Sequence, residues 1–75
     1  MGKKYKFIQK LNERQVHVFC DGNHFVASLA LTKFSPKEIL VFPATSNGEI
    51  TEYREEDSCF KYDKIDEWVK AFCSV

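Results

Sequence analysis

Period-two alternation opens the chain. In KKYKFIQKL, Tyr5, Phe7 and Leu11 fall on one face and Lys4, Lys6 and Lys10 on the other, the pattern of a half-buried strand. NERQ interrupts it. VHVFC resumes it, with Val16, Val18 and Cys20 on one face and His17 and Phe19 on the opposite one. DGN then supplies the positive φ of a tight hairpin turn, and Phe25, Ala27, Leu29 and Leu31 restore the apolar face.

The register follows from the turns. A two-residue Asp21-Gly22 loop sets Val18 against Phe25 and Val16 against Ala27. A Gly22-Asn23 loop shifts partners by two places and keeps the faces, whereas a three-residue loop reverses them against the burial pattern. The same test at Asn12-Glu13 places Phe7 opposite Val18 and Tyr5 opposite Cys20. All three strands then share one buried face. On the other face Lys6 opposes Phe19, which opposes His24; Ile8, His17 and Val26 form the next row, flanked by Lys4 and Lys10.

SPKE reads as a turn or a single helical turn, with Ser35 as cap, Pro36 at the first position and Glu38 reaching back. ILVF is apolar throughout, as in a strand covered on both faces, and Pro43 is expected to end its ladder. SNGE predicts a second hairpin, whose two-residue Asn47-Gly48 loop would set Phe42 against Tyr53. ITEYR is then a weaker strand, leading into an acidic, exposed EED. Ile65, Trp68, Val69 and Phe72 recur at i, i+3, i+4 and i+7, one face of a helix, with Asp63 as its expected cap. The expected fold is α+β, a four- or five-stranded antiparallel sheet (a β-meander) with one C-terminal helix packed on its apolar face.

Composition sharpens this in three ways. Seventy-five residues make one compact domain, and seven Phe, three Tyr and one Trp supply the large side chains that a small core requires. Three cysteines cannot all pair within the chain. MGKKYKFIQK has lysines but no apolar run behind them, so neither a signal peptide nor a membrane span is expected; a cytoplasmic protein with reduced thiols is. Net charge is zero, yet residues 1–37 carry seven Lys/Arg against two Asp/Glu and residues 38–75 carry four against nine. That segregation is either a solvated surface or a pair of oppositely charged faces that orient a partner.

Candidate chemistry is sparse. Two histidines and a cysteine fall within VHVFCDGNH, but the hairpin puts Cys20 on the buried face and His17 and His24 on the other. No Cys-x-x-Cys or His-x-x-x-His spacing marks a zinc site, so neither metal nor cofactor is expected. The same facing separates Cys20 from a histidine base, Cys59 lies just after an acidic run that disfavours a thiolate, and three glycines form no phosphate loop. An enzyme is not expected.

KFIQKL, an alternating strand into VFCDG, and later YDKIDEWV together resemble the layout of small phage anti-CRISPR proteins that block the type I-F surveillance complex. The positions that carry the likeness are Phe7, Ile8, Leu11, Phe19, Gly22, Ile65 and Trp68. It implies a non-enzymatic inhibitor that binds a host nucleic-acid-handling complex and blocks its substrate. Phe19 falls where that family uses an aromatic contact, whereas Lys10 stands where a second contact tyrosine is expected.

The functional expectation is a protein-binding module with a host complex as partner. Its contact face comprises Lys6, Lys10, His17, Phe19 and His24, apolar at the centre and basic at the rim. The alternative uses the same face to grip single-stranded nucleic acid, by phosphate contact and base stacking. A packed second core beneath a loop would account equally for Phe19, Ile8 and Val26. Edge strands also admit a homodimer, and the acidic residues 49–57 with Asp63, Asp66 and Glu67 suit a basic surface.

Overall fold

Asp21 and Gly22 adopt φ of 49° and 82°, the left-handed pair that a two-residue hairpin loop requires. They join β2 (Gln15–Cys20) to β3 (Asn23–Ala30), and the register is the expected one, with Val18 opposite Phe25 and Val16 opposite Ala27. In this computed structural model, which describes residues 4–30 and 38–74, that hairpin is the centre of a curled sheet. Leu31 and the expected turn at 35–37 lie outside the described residues.

β1 (Tyr5–Asn12) pairs with β2 by a different route from the expected one. The turn falls at Glu13-Arg14, one residue later, and Asn12 faces Gln15. Two irregularities, between Lys10 and Asn12 and between Phe7 and Gln9, then return Phe7 to its expected place opposite Val18. Each inserts one residue on β1, Leu11 and Ile8 respectively, and each reverses the facing of the strand beyond it. The expected Ile8–His17 pair is therefore replaced by Gln9–His17, and Lys10 faces Val16.

β4 (Glu38–Ala44) completes the antiparallel run against β3, with Ile39 opposite Leu29 and Val41 opposite Ala27. Ile39, Val41 and Phe42 are buried, as an unbroken apolar strand requires. Pro43 does not end it: Phe25 faces Pro43 and His24 faces Ala44. The Pro43 carbonyl accepts the Thr51 N–H at 2.9 Å, so the polar side of this residue points away from β3. Its missing N–H costs the ladder nothing.

Beyond Ala44 the expected two-residue hairpin is a three-residue loop at 46–48. Thr45 N–H donates to the Glu49 carbonyl at 2.8 Å, and Gly48, at φ 84°, donates to the Thr45 carbonyl at 3.0 Å. The weak strand expected over residues 50–54 is reduced to one bridge, Ala44 to Ile50. The next strand is β5 (Asp57–Cys59), which pairs with residues 39–41 and takes in the end of the segment expected to be exposed loop.

α1 (Ile65–Phe72) comes next. Asp63 is not its cap: Lys64 occupies that position without a side-chain cap bond. Ile65 and Trp68 are buried, with Asp66 and Glu67 in the first turn, where acidic groups suit the helix dipole. β6 (Cys73–Ser74) then pairs parallel with Tyr5 and Lys6. Among the described residues the sheet thus has six strands rather than four or five, in the order β5-β4-β3-β2-β1-β6, and its last pairing is parallel. The fold there remains α+β, with one short C-terminal helix.

β1 and β5 are four strand spacings apart, ~19 Å on a flat sheet. Yet Lys4 Nζ and Tyr5 Oη each lie 3.4 Å from Asp57 Oδ2. The sheet curls to bring them together. Inside the curl lies the main core: Tyr5, Val16, Val18, Ala27, Leu29, Ile39, Val41 and Cys73, closed by Ile65 and Trp68 of α1. The Tyr5 ring sits 5.4 Å from Trp68 and edge-on to Phe25 at 6.2 Å.

Candidate functional site

The convex face of the sheet carries the residues that alternation turned away from α1. Cross-strand partners share a face, so the register arranges them in rows: Lys6–Phe19–His24–Ala44, then Gln9–His17–Val26–Phe42. The next row is polar from β1 to β3, with Asn12 donating to Gln15 at 2.8 Å and Gln15 to Ser28 at 3.3 Å, and ends on Leu40 of β4.

Of the five expected contact residues, three stay together at the surface. Lys6 is exposed, and Phe19 and His24 are half-buried. The Phe19 ring meets His24 edge-on at 4.9 Å.

The other two do not join them. Lys10 is displaced by the Ile8 bulge to the face of Val16, and its Nζ lies 3.1 Å from Asp66 Oδ2 on α1. A one-residue insertion is enough to send a side chain through the sheet. His17 is on the expected face but only 3 % exposed, so it cannot form part of an open contact surface. Its Nε2 is 2.9 Å from His24 Nδ1.

What covers His17 is the 45–49 loop. A Cβ placed on Gly48 would stand 3.2 Å from His17 Nδ1 and 3.4 Å from a Leu11 methyl carbon. The loop therefore lies directly on the ring, and Leu11, released by the bulge between Lys10 and Asn12, reaches the same spot. Val26 and Phe42 are buried beside His17 yet lie outside the main core, and Tyr53 packs edge-on to Phe42 at 5.3 Å. A second core is the alternative that the sequence left open for Phe19, Ile8 and Val26; of these Val26 is buried in it and Phe19 is only half-buried. Ile8 is not part of it, being 43 % exposed on its bulge.

The electrostatics reflect these positions. Burial lowers the His17 pKa below the ordinary histidine value, and His24 lowers it further, because each disfavours a charged ring. Burial chiefly, with the Asp57 carboxylate, holds the Tyr5 phenol protonated. Cys20 is pushed up by burial and by Asp21, against a smaller opposing effect of Lys4, so it is a poor nucleophile. Cys20 and Cys59 are free thiols. Among the described residues no group of three or more His, Cys, Asp or Glu is placed to hold a metal ion, and no helix is long and apolar enough to cross a membrane.

Two shallow depressions flank the β2–β3 turn. One, of about 280 Å³, runs from His24 and Phe25 past Pro43 to Arg54 and Glu56. The other, of about 190 Å³, runs from Lys4 and Tyr5 past Cys20 to Glu56. Arg54 pairs with both Glu52 and Glu56. Sequence reasoning set Tyr53 against Phe42 but did not anticipate that it would be 79 % exposed, and it missed Phe60, 58 % exposed, which sits in no periodic pattern that would assign it a face.

This arrangement can present a fixed aromatic edge beside a cation, and its histidine pair can hold a single shared proton. Comparison with protein-family models, with curated proteins and with solved structures returns no match for the chain.

Proposed function

We propose that the chain is a non-enzymatic protein-binding module that docks through the row Lys6, Phe19 and His24, and, in keeping with the resemblance to anti-CRISPR proteins, that its partner is a host nucleic-acid-handling complex. The observation that carries this reading is the position of Phe19, half-exposed and braced edge-on by His24 at 4.9 Å. A braced ring loses little rotamer freedom on docking, so more of its contact energy appears as affinity. Lys6, exposed across the register from it, supplies a charged rim. Residues 51–58 are exposed throughout; Glu52 and Glu56 are engaged by Arg54 and Asp57 by Lys4, so Glu55 and Tyr53 are what this segment offers to a basic region of the partner.

The test is retention of a host complex from nuclease-treated bacterial lysate by tagged protein, with Phe19→Ala as the comparison. Retention is expected to survive nuclease and to be lost in Phe19→Ala, whose melting temperature should stay near that of the parent. Retention unaffected by the substitution sinks the reading, as does a collapse in melting temperature, which would make Phe19 a core residue.

Lys6 beside a half-exposed Phe19 also supports a second reading, single-stranded nucleic-acid binding. Oligothymidylate titrations at rising salt separate the two. Phosphate-driven binding weakens steeply with ionic strength, whereas an apolar interface weakens less.

A further inference from the structure

We propose that the His17–His24 pair is a proton-sensitive latch that holds the 45–49 loop on the convex face of the sheet. The inference shares His24 with the binding reading but does not depend on it, since it concerns how the 45–49 loop is held over His17.

His17 Nε2 and His24 Nδ1 are 2.9 Å apart, so a neutral pair carries one proton between these two nitrogens. One ring donates and the other accepts. A first added proton is accommodated without breaking the bond. Placed on the ring of His24, it leaves Nδ1–H donating to His17 Nε2 while His17 carries its own proton on Nδ1. That is the nitrogen nearest Gly48.

A second proton leaves no acceptor. Two N–H groups would then face each other at 2.9 Å, and two charges would stand with their ring centres 5.0 Å apart. His24 can turn toward water, but His17, 3 % exposed, has no such route while Gly48 lies over it. Solvating the His17 cation requires the loop to move.

The charged groups around the pair do not neutralise it. Lys6 stands opposite Phe19 on β1 and has the wrong sign. From β4 the pair meets Phe42 and Ala44, neither of them charged. Glu49 is next to Gly48 in the loop and is exposed, so its carboxylate is solvated by water. Glu56, across the groove from His24, is paired with Arg54. Burial and the neighbouring ring both disfavour charge on His17, in line with the geometry. Opening the loop would expose the His17 ring, in the row it shares with Val26 and Phe42.

Amide hydrogen exchange measured by NMR tests this between pH 7.5 and 5.0, a window above the ordinary titration of carboxylates. After correction for the intrinsic pH dependence, protection at Thr45, Gly48 and Thr51 is expected to fall at least tenfold at the acid end. Val16 and Val18 should keep theirs. The imidazole nitrogens should titrate in two separate steps, as a coupled pair does. His24→Gln, at a half-exposed position, keeps a polar partner and removes the second charge, so its loop protection should hold across the window. Loop protection independent of pH in the parent would overturn the proposal. So would an equal acid loss in His24→Gln, or a fall in protection shared by Val16 and Val18.

Discussion

The two faces of the sheet bury their side chains by different means. On the concave face the burial partner is a helix whose own periodicity presents Ile65 and Trp68, and the long strands contribute apolar residues in register. On the convex face the partner is a turn. His17 is buried there because a three-residue loop lies back on it, at a distance that suits a glycine, and Phe42 beside it has Tyr53 against its ring. The first arrangement is redundant, since many contacts share the load. The second depends on one backbone conformation and one hydrogen-bonded pair, so small perturbations should separate the two.

The largest expected effect is in the main core. Trp68→Ala should cost about 3–5 kcal/mol, comparable with the whole stability of a domain of this size, about 4–11 kcal/mol. Urea unfolding monitored by circular dichroism checks it. A loss below about 1 kcal/mol would mean that α1 does not close the core.

The glycine pair sharpens the comparison. Gly22 and Gly48 share a positive φ, of 82° and 84°, but a Cβ on Gly22 meets nothing within 4 Å and one on Gly48 meets His17 at 3.2 Å. Gly22→Ala should therefore cost only the left-handed strain, about 1 kcal/mol, and Gly48→Ala about 2 kcal/mol, with the loop displaced. Equal losses would show that the close approach over His17 carries no energetic weight.

Acid should act on the convex face next. The His17 pKa is depressed in the folded chain by burial and by His24, and its unfolded value is about 6.5. Below that value the unfolded chain binds more protons. This contribution is complete above about pH 6.5 and declines as pH falls toward the lower folded value. The urea midpoint should drop from about pH 7.5 to 5.5 in the parent and drop less in His17→Phe. Parallel lines for the two proteins would remove His17 from the account.

The smallest effect concerns the ion pair between Lys10 and Asp66, whose side chains are 37 % and 62 % exposed. Lys10→Ala should change stability by no more than about 0.5–1 kcal/mol, and retention of the proposed partner should not change. A loss of binding would return Lys10 to the contact face.

The pairs Lys4–Asp57 and Lys10–Asp66 also answer the charge segregation along the chain. Each joins the basic N-terminal half to the acidic C-terminal half, so part of the segregated charge is satisfied within the fold.

How much of this is legible in the sequence differs by element. The β2–β3 hairpin reads correctly, residue by residue, because Asp21-Gly22 leaves a register that keeps Val16, Val18, Phe25 and Ala27 on one face. The helix is equally legible from Ile65, Trp68, Val69 and Phe72. The bulges in β1 are not. KFIQKL alternates well enough to pass as a regular strand, and neither Ile8 nor Leu11 differs from a regular strand residue. The expected contact face inherits that error at Lys10. Its other error, at His17, comes from Gly48: SNG announces a turn, but a local signal does not say which way a turn folds back.

The amino-acid sequence by itself determined which segments pair locally, which face of each is apolar, and that a C-terminal helix covers the buried side. These are properties of neighbours along the chain, set by side-chain period and by the φ that turn residues accept. Only the tertiary structure decided the bulges that send Lys10 to Asp66, the curl that carries Tyr5 to Asp57, the parallel β6 at the edge, and the loop that closes over His17. Those depend on where distant segments meet, and the energies that choose among such arrangements come from packing across the sheet, which no stretch of the chain contains alone.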